Sequence, residues 1–216
     1  VVHPDRRRGG TGRALLEAAR TAAGAAGDRL AVWAHGDLAG ARALATAAGL
    51  HQVRALWRMS HDLTRLPPVG ALPAGVVVRP FVVGADEGAW LEVNARAFAR
   101  HPEQGRMVLA DLRAREGAPW FRAEDLILAE RHGALVGFVW LKVEPGEPVG
   151  ELYVLGVDPR AQGGGLGAGL TRLALTHLAD RGVRRVVLYT EGDNTAALRT
   201  YTAAGFSRDR VDAQYG

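Results

Sequence analysis

The sequence predicts an α/β protein built from two copies of one unit, the first copy truncated, with mixed, mostly antiparallel sheets flanked by helices. Three observations predict it. Val2-His-Pro-Asp-Arg-Arg-Arg-Gly-Gly-Thr-Gly-Arg-Ala-Leu15 matches Val157-Asp-Pro-Arg-Ala-Gln-Gly-Gly-Gly-Leu-Gly-Ala-Gly-Leu170, with Pro4, Gly10, Gly12 and Leu15 answering Pro159, Gly165, Gly167 and Leu170 at an offset of 155 residues. Ala47-Ala-Gly-Leu50 then answers Ala203-Ala-Gly-Phe206 at an offset of 156. Two matched blocks at nearly constant spacing are the signature of a duplication. Finally, β-branched runs alternate with segments of helical period along the second copy.

The elements follow in order. Residues 1–63 supply helix–strand–helix–strand, the closing portion of the unit. Thr64 to Gly75 is rich in proline and glycine and reads as a linker. Residues 76–216 supply the whole unit. Val76 to Arg79 is β-branched and predicts a strand. Ala85 to Phe98 sets Trp90, Val93, Ala97 and Phe98 at helical spacing, and Arg106 to Glu116 predicts a second helix. Leu126–Ala129, Leu135–Lys142 and Val149–Val157 predict three strands, the first two joined by a tight His132-Gly133 turn. Leu166 to Arg181 carries Leu166, Leu170, Leu173 and Leu178 near one stripe. A strand over Val183–Thr190, a helix over Asn194–Ala204 and a strand over Phe206–Tyr215 complete the unit. The chain opens on Val1 rather than methionine, which reads as a piece of a longer protein.

Composition narrows the classes of function. The 216 residues are 48% hydrophobic and 23% charged, and cysteine is absent, so disulfides and thiolate metal sites are excluded. No apolar run reaches the ~18 residues of a spanning helix, and the basic start lacks the apolar stretch of a signal peptide. A cytoplasmic protein acting away from membranes, as a monomer, is expected. Net charge is +4, carried almost wholly by arginine, with Lys142 the single lysine. That balance suits a polyanionic small ligand; beyond Arg6–Arg8 no arginine run or aromatic-interleaved basic stripe points to nucleic acid.

The strand end Leu155-Gly156-Val157 runs into Gln162-Gly163-Gly164-Gly165-Leu166-Gly167-Ala168 and then a helix. Inward-pointing amides of a glycine loop, reinforced by a helix N-terminus, make an anion site. A Rossmann site is the rival, but that loop opens its domain after the first strand of a βαβ unit. Here it comes late, after antiparallel strands, and occurs twice.

Val-Asp-Pro-x-x-Gln-x-x-Gly-x-Gly (157–167), followed by Asp193-Asn194-x-x-Ala197-x-x-x-Tyr201-x-x-x-Gly205-Phe206, resembles the GNAT superfamily of acetyltransferases. The resemblance covers residues 76–216 fully and 1–63 partly. It implies the GNAT fold in tandem and acetyl-CoA as co-substrate without a metal. The amides of Gln162 to Ala168 would hold the pyrophosphate, and the exposed backbone of Leu155, Gly156 and Val157 would pair with pantetheine, with Asn194 alongside. Gly164 departs from the pattern, since arginine is common there. Asn94-Ala-Arg-Ala-Phe-Ala-Arg-His-Pro-Glu-Gln-Gly105, Trp140-Leu-Lys-Val143 and Gly150-Glu-Leu-Tyr-Val-Leu-Gly-Val157 are similar to the mycothiol synthase family, tandem GNAT enzymes that acetylate the cysteinyl amine of Cys-GlcN-Ins.

Acetyl transfer to an amine needs a base for the ammonium proton and a donor for the departing thiolate. Glu151, inside an otherwise apolar strand, is the expected base; period-two alternation puts it on one face with Tyr153 and Leu155 until any bulge intervenes. Tyr201 stands where GNAT enzymes offer a tyrosine to the sulfur. By the family resemblance, Glu103 and Lys142 join Glu151 and Tyr201 as substrate contacts, while His101 shapes its loop. The five tryptophans are expected to pack cores. Alignment at Gly49 and Gly205 sets Ala45 opposite Tyr201 and Leu38 opposite Asn194, so the first copy lacks the proton donor and is expected to be non-catalytic. Two readings stay open beside this one: a GNAT enzyme for another primary amine, such as a peptide N-terminus or an amino sugar, and a non-catalytic acyl-CoA-binding module.

Overall fold

The computed structural model describes residues 1–64, 71–99, 101 and 104–216. They fall into two compact units, one comprising Val1–Arg58, Tyr189–Thr195 and Arg208–Gly216, the other Met59–Leu188 and Ala196–Ser207. The strand expected to close the second copy contributes all but its first two residues to the first unit, because its hydrogen-bonding partner is a strand of the first copy.

In the first unit, α1 (Thr11–Ala25) and α2 (Ala39–Ala47) flank β1 (Val32–Ala34), β2 (Gln52–Asp62, as far as Arg58) and β8 (Ser207–Tyr215, from Arg208). The strands run β1–β8–β2, and β1 pairs antiparallel with β8 at Val32↔Tyr215 and Ala34↔Ala213. The core is small: Ala45, Ala213 and Tyr215, with Val32, Ala34 and Leu50 around them. Polar ties supplement it, since the Tyr215 hydroxyl donates to Asp37 at 2.8 Å and the Gly36 amide to Asp212 at 2.7 Å.

In the second unit, β3 (Val76–Pro80), β4 (Leu126–Arg131), β5 (Ala134–Val143), β6 (Val149–Val157) and β7 (Arg185–Glu191, as far as Leu188) lie in the order β7–β6–β5–β4–β3. The β3–β4, β4–β5 and β5–β6 pairings are antiparallel and β6–β7 is parallel. Helix α5 (Leu166–Asp180) buries Leu166, Leu170, Ala174, Leu175 and Leu178 against Val139, Leu141, Leu152, Val186 and Leu188 on one face. Helices α3 (Glu87–Ala97) and α4 (Leu109–Glu116) cover the other, where Trp90, Val93 and Leu112 meet Leu126, Leu128, Phe138, Trp140 and Val154. Fully burying such a side chain contributes about 1.5–3 kcal/mol, so these two cores carry the unit. Helix α4 starts three residues later than the sequence predicts, because Gln104–Arg106 takes a tighter 3-10 turn and Asp111 caps the helix through the Val108 amide at 3.1 Å. Helix α6 (Thr195–Ala203) lies mostly in this unit.

The duplication is visible in local backbone. Gly10 (φ 82°) and Gly165 (φ 81°) are both left-handed N-caps of 15-residue helices, and each helix follows a Pro-initiated 3-10 turn. At the other matched block, the Leu50 amide donates to Ala45 and the Phe206 amide to Tyr201, both at 3.0 Å. Ala45 and Tyr201 are therefore equivalent positions.

Candidate active site

The site begins with a fault in the β5–β6 ladder. Trp140 faces Val154 but Leu141 faces Leu152, so Tyr153 is the extra residue of a β-bulge. Before the bulge, Leu152 packs into the α5-side core; after it, Val154 packs into the α3-side core and Leu155 into the α5 side. Glu151 and Tyr153 thus share a face, but Leu155 does not: strict alternation fails at one inserted residue. Glu151 is directly opposite Lys142 in the register. The Lys142 ammonium lies 5.2 Å from the Trp120 ring centre and 5.9 Å from that of Tyr153, and pairs with Glu144 at 2.7 Å. Its pKa is raised, first by the hydrogen bond to Glu144 and, after the opposing effect of burial, by the charges of Glu144, Glu151 and Tyr153. The Tyr153 hydroxyl accepts from Arg115 at 3.2 Å. The meeting of Trp120, Tyr153 and Arg115 around Lys142 has no signal in the sequence, because two aromatics and an arginine on separate elements give no periodicity. Trp120 packs on the α3-side core as expected, its ring 5.7 Å from that of Trp140, and is half-buried beneath Lys142, whereas Trp90 and Trp140 are fully buried. Trp33 departs from the expected core packing, being exposed beneath the Arg54 guanidinium.

Before the bulge, β6 pairs in parallel with β7 at Val149–Glu151 against Arg185–Val187. Among the described residues of this unit, the outer backbone edge of Leu152–Val157 has no strand partner. Asp158 then caps the Pro159–Ala161 turn, and the Gln162 side-chain amide ties the loop back to the Val157 carbonyl at 3.2 Å. Gly163 and Gly165 have positive φ, and a Cβ on Gly163, Gly164 or Gly165 would meet nothing within 4 Å. Positive φ explains two of these glycines; at Gly164 neither conformation nor neighbours require one. No side chain caps α5, whose first internal backbone bond runs from Gly169 to Gly165 at 3.0 Å. The Leu166, Gly167 and Ala168 amides are then left for a ligand. An open cradle, uncapped amides and a free strand edge fit a pyrophosphate with an extended amide-bearing arm.

Tyr201 is buried in the α5-side core, its ring 5.9 Å from that of Phe206, and burial pushes its phenol up to about 12. It shares that core with Leu155, not with Glu151. Asn194 belongs to the first unit, where its amide donates to Glu191 at 3.1 Å. Glu103 lies outside the described residues. His101 shapes its loop as expected, its Nδ1 accepting from the Gln104 amide at 3.0 Å.

Residues 90–206 match the family model described as Acetyltransferase (GNAT) family. The chain is 60% identical over its whole length to a mycothiol acetyltransferase from Cellulomonas flavigena, of which it spans 65%. It is 55% identical to one from Thermomonospora curvata, again over its whole length, and spans 71% of that relative. The chain belongs to the mycothiol acetyltransferase branch of the GNAT family. Solved GNAT structures share the fold. A GCN5-related N-acetyltransferase from Sphaerobacter thermophilus superposes with TM-score 0.84 at 25% identity, over 99% of this chain and 70% of that one. A tandem GNAT protein from the clavulanic acid biosynthesis pathway gives 0.73 at 24%, over 100% and 72%. Among the described residues no helix is long and apolar enough to cross a membrane, and no group of three His, Asp or Glu side chains could hold a metal.

Proposed function

We propose that residues 76–216 transfer an acetyl group from acetyl-CoA to the cysteinyl amine of Cys-GlcN-Ins, with residues 1–63 a non-catalytic copy and 64–75 a linker. The observation that carries this reading is the Glu151–Lys142 pair over Trp120 and Tyr153, one bulge away from the anion cradle. The co-substrate supplies an acetyl thioester as electrophile. The Gln162–Ala168 amides bind its phosphates, and the Leu155–Val157 backbone lays its arm along β6. Glu151 takes the proton from the substrate ammonium, directly or through a water; an α-amine of pKa ~7.7–8.0 yields it with little cost near neutrality. As the C–N bond forms and the C–S bond breaks, Tyr201 donates its hydroxyl proton toward the departing sulfur. Glu151 faces one side of β6 and Tyr201 packs on the other, with Leu155, so base and acid approach the strand from opposite faces. Lys142 donates to the acceptor's hydroxyl or carbonyl oxygens, and Trp120 gives the sugar an apolar face. Glu103 adds a substrate contact. The reading makes the protein a cytoplasmic monomer acting on a small molecule, with no role for nucleic acid or membrane.

The test is an acceptor panel, Cys-GlcN-Ins, an N-terminal peptide and glucosamine, followed by release of the coenzyme A thiol. Cys-GlcN-Ins should give the highest kcat/KM. A higher value for either other amine would replace the substrate assignment, and binding of acetyl-CoA without turnover of any would leave only a binding module.

A further inference from the structure

Asp158 is almost wholly buried, 2% exposed, at the junction between β6 and the glycine loop. Its amide donates to Val136 at 3.0 Å. Its carboxylate accepts four hydrogen bonds: from the Arg160 amide and Nε at 3.0 Å, from Arg160 Nη2 at 2.8 Å, and from Arg96 Nε at 2.8 Å. The first three serve the local turn. The fourth reaches across to the last turn of α3, an element the turn does not need. His3, the equivalent residue of the first copy, accepts only the local amide bond, from Asp5 at 3.4 Å.

The end of α3 is fixed to β6 a second time. A Cβ on Gly156 would collide with the Phe138 ring and crowd that of Phe98 at 3.2 Å, so glycine there lets both rings lie close on the strand. Buried Asn94 donates to the Gln104 carbonyl at 2.7 Å and accepts from the Gln104 side chain at 3.0 Å. Gly105 lies so close to the Phe98 carbonyl that a Cβ would overlap it. Among the described residues, Arg96 thus ties the end of α3 to the residue that launches the glycine loop, while Asn94, Phe98 and His101 hold Gln104 and Gly105 against that helix.

We propose that Arg96 and Asp158 are a positioning pair that transmits acetyl-CoA binding at the glycine loop to the loop of His101 and Gln104, setting the acceptor's place relative to the thioester. This rests on the proposed function for its ligand and acceptor. Neither residue touches the reacting atoms; each acts through the element it holds. A charge-assisted bond between a buried carboxylate and a guanidinium is strong enough to hold such a register, and small misplacements of a reactant cost about 10- to 100-fold in rate.

The experiment is hydrogen exchange on the full-length protein with and without acetyl-CoA, for the parent, Arg96→Gln and Arg96→Lys. In the parent, acetyl-CoA should slow exchange both at 163–168 and at the His101 and Gln104 amides. Arg96→Gln should keep the first protection and lose the second, while Arg96→Lys restores it in part. Its KM for Cys-GlcN-Ins should rise about tenfold, with acetyl-CoA affinity within about twofold of the parent. Loop protection that survives in Arg96→Gln, or is missing in the parent, overturns the proposal. So does a loss of acetyl-CoA affinity that parallels the rise in acceptor KM. Absence of turnover in a parent that shows both protections would instead count against the proposed function, leaving the coupling in place.

Discussion

Lys142 and Glu151 face each other across the β5–β6 ladder, a cation and a carboxylate held in register two residues before the bulge at Tyr153. The raised pKa of Lys142, set mainly by its Glu144 hydrogen bond, keeps the ammonium charged throughout the neutral range and into alkali. With Trp120 beneath it, the head group is confined to one small region. Lys142→Met preserves the stem and removes the charge. It should raise KM for Cys-GlcN-Ins about tenfold, the worth of one hydrogen bond to a charged group, while kcat changes little. Steady-state kinetics at saturating acetyl-CoA checks this; a fall in kcat with unchanged KM would move Lys142 from binding into chemistry.

Tyr201 has its phenol pushed up to about 12 by burial. A raised tyrosine pKa favours the neutral form, so the hydroxyl stays protonated, and able to donate, at every pH up to the folded value. Tyr201→Phe should lower kcat by about 10²–10⁴-fold, equally at all pH values from neutral to ~9.5, with acetyl-CoA affinity preserved. A loss that vanished in alkali would show the tyrosine acting on the amine instead.

Gly10 and Gly165 occupy matched left-handed caps, and a Cβ on either meets nothing within 4 Å. Valine therefore imposes the same backbone strain at both, about 1–2 kcal/mol. Because local cost is matched, any difference reports function. Gly165→Val should abolish the rise in Tm given by acetyl-CoA and lower turnover strongly; Gly10→Val should affect turnover far less. Equal losses of turnover in two folded variants would mean that both copies are needed for the chemistry.

Where the fold was legible in sequence, it was through strong local signals. The duplicated proline–glycine blocks fixed both helix starts, and the apolar stripe of Leu166, Leu170 and Leu178 faces the sheet as periodicity requires. What local pattern could not carry was pairing. The bulge at Tyr153, which sends Leu155 to the α5 side away from Glu151, depends on register with β5. The placement of β8 beside β1 depends on which edge is open to it. Trp120, Tyr153 and Arg115 come from three elements, so their meeting around Lys142 follows only from tertiary packing. The Arg96–Asp158 bond, joining residues far apart in the chain, was invisible for the same reason.

The central claim is that Glu151 removes the proton from a cysteinyl amine. Its most direct test is the pH dependence of coenzyme A thiol release with Cys-GlcN-Ins, for the parent and Glu151→Gln, from about pH 6.5 to about 9.5. Near neutrality the variant should be slower by about 10²–10⁴-fold. The deficit should shrink above ~8, where the substrate amine is already largely neutral, while acetyl-CoA affinity stays unchanged throughout. Near-parental activity of Glu151→Gln at neutral pH would contradict the account and make the carboxylate structural.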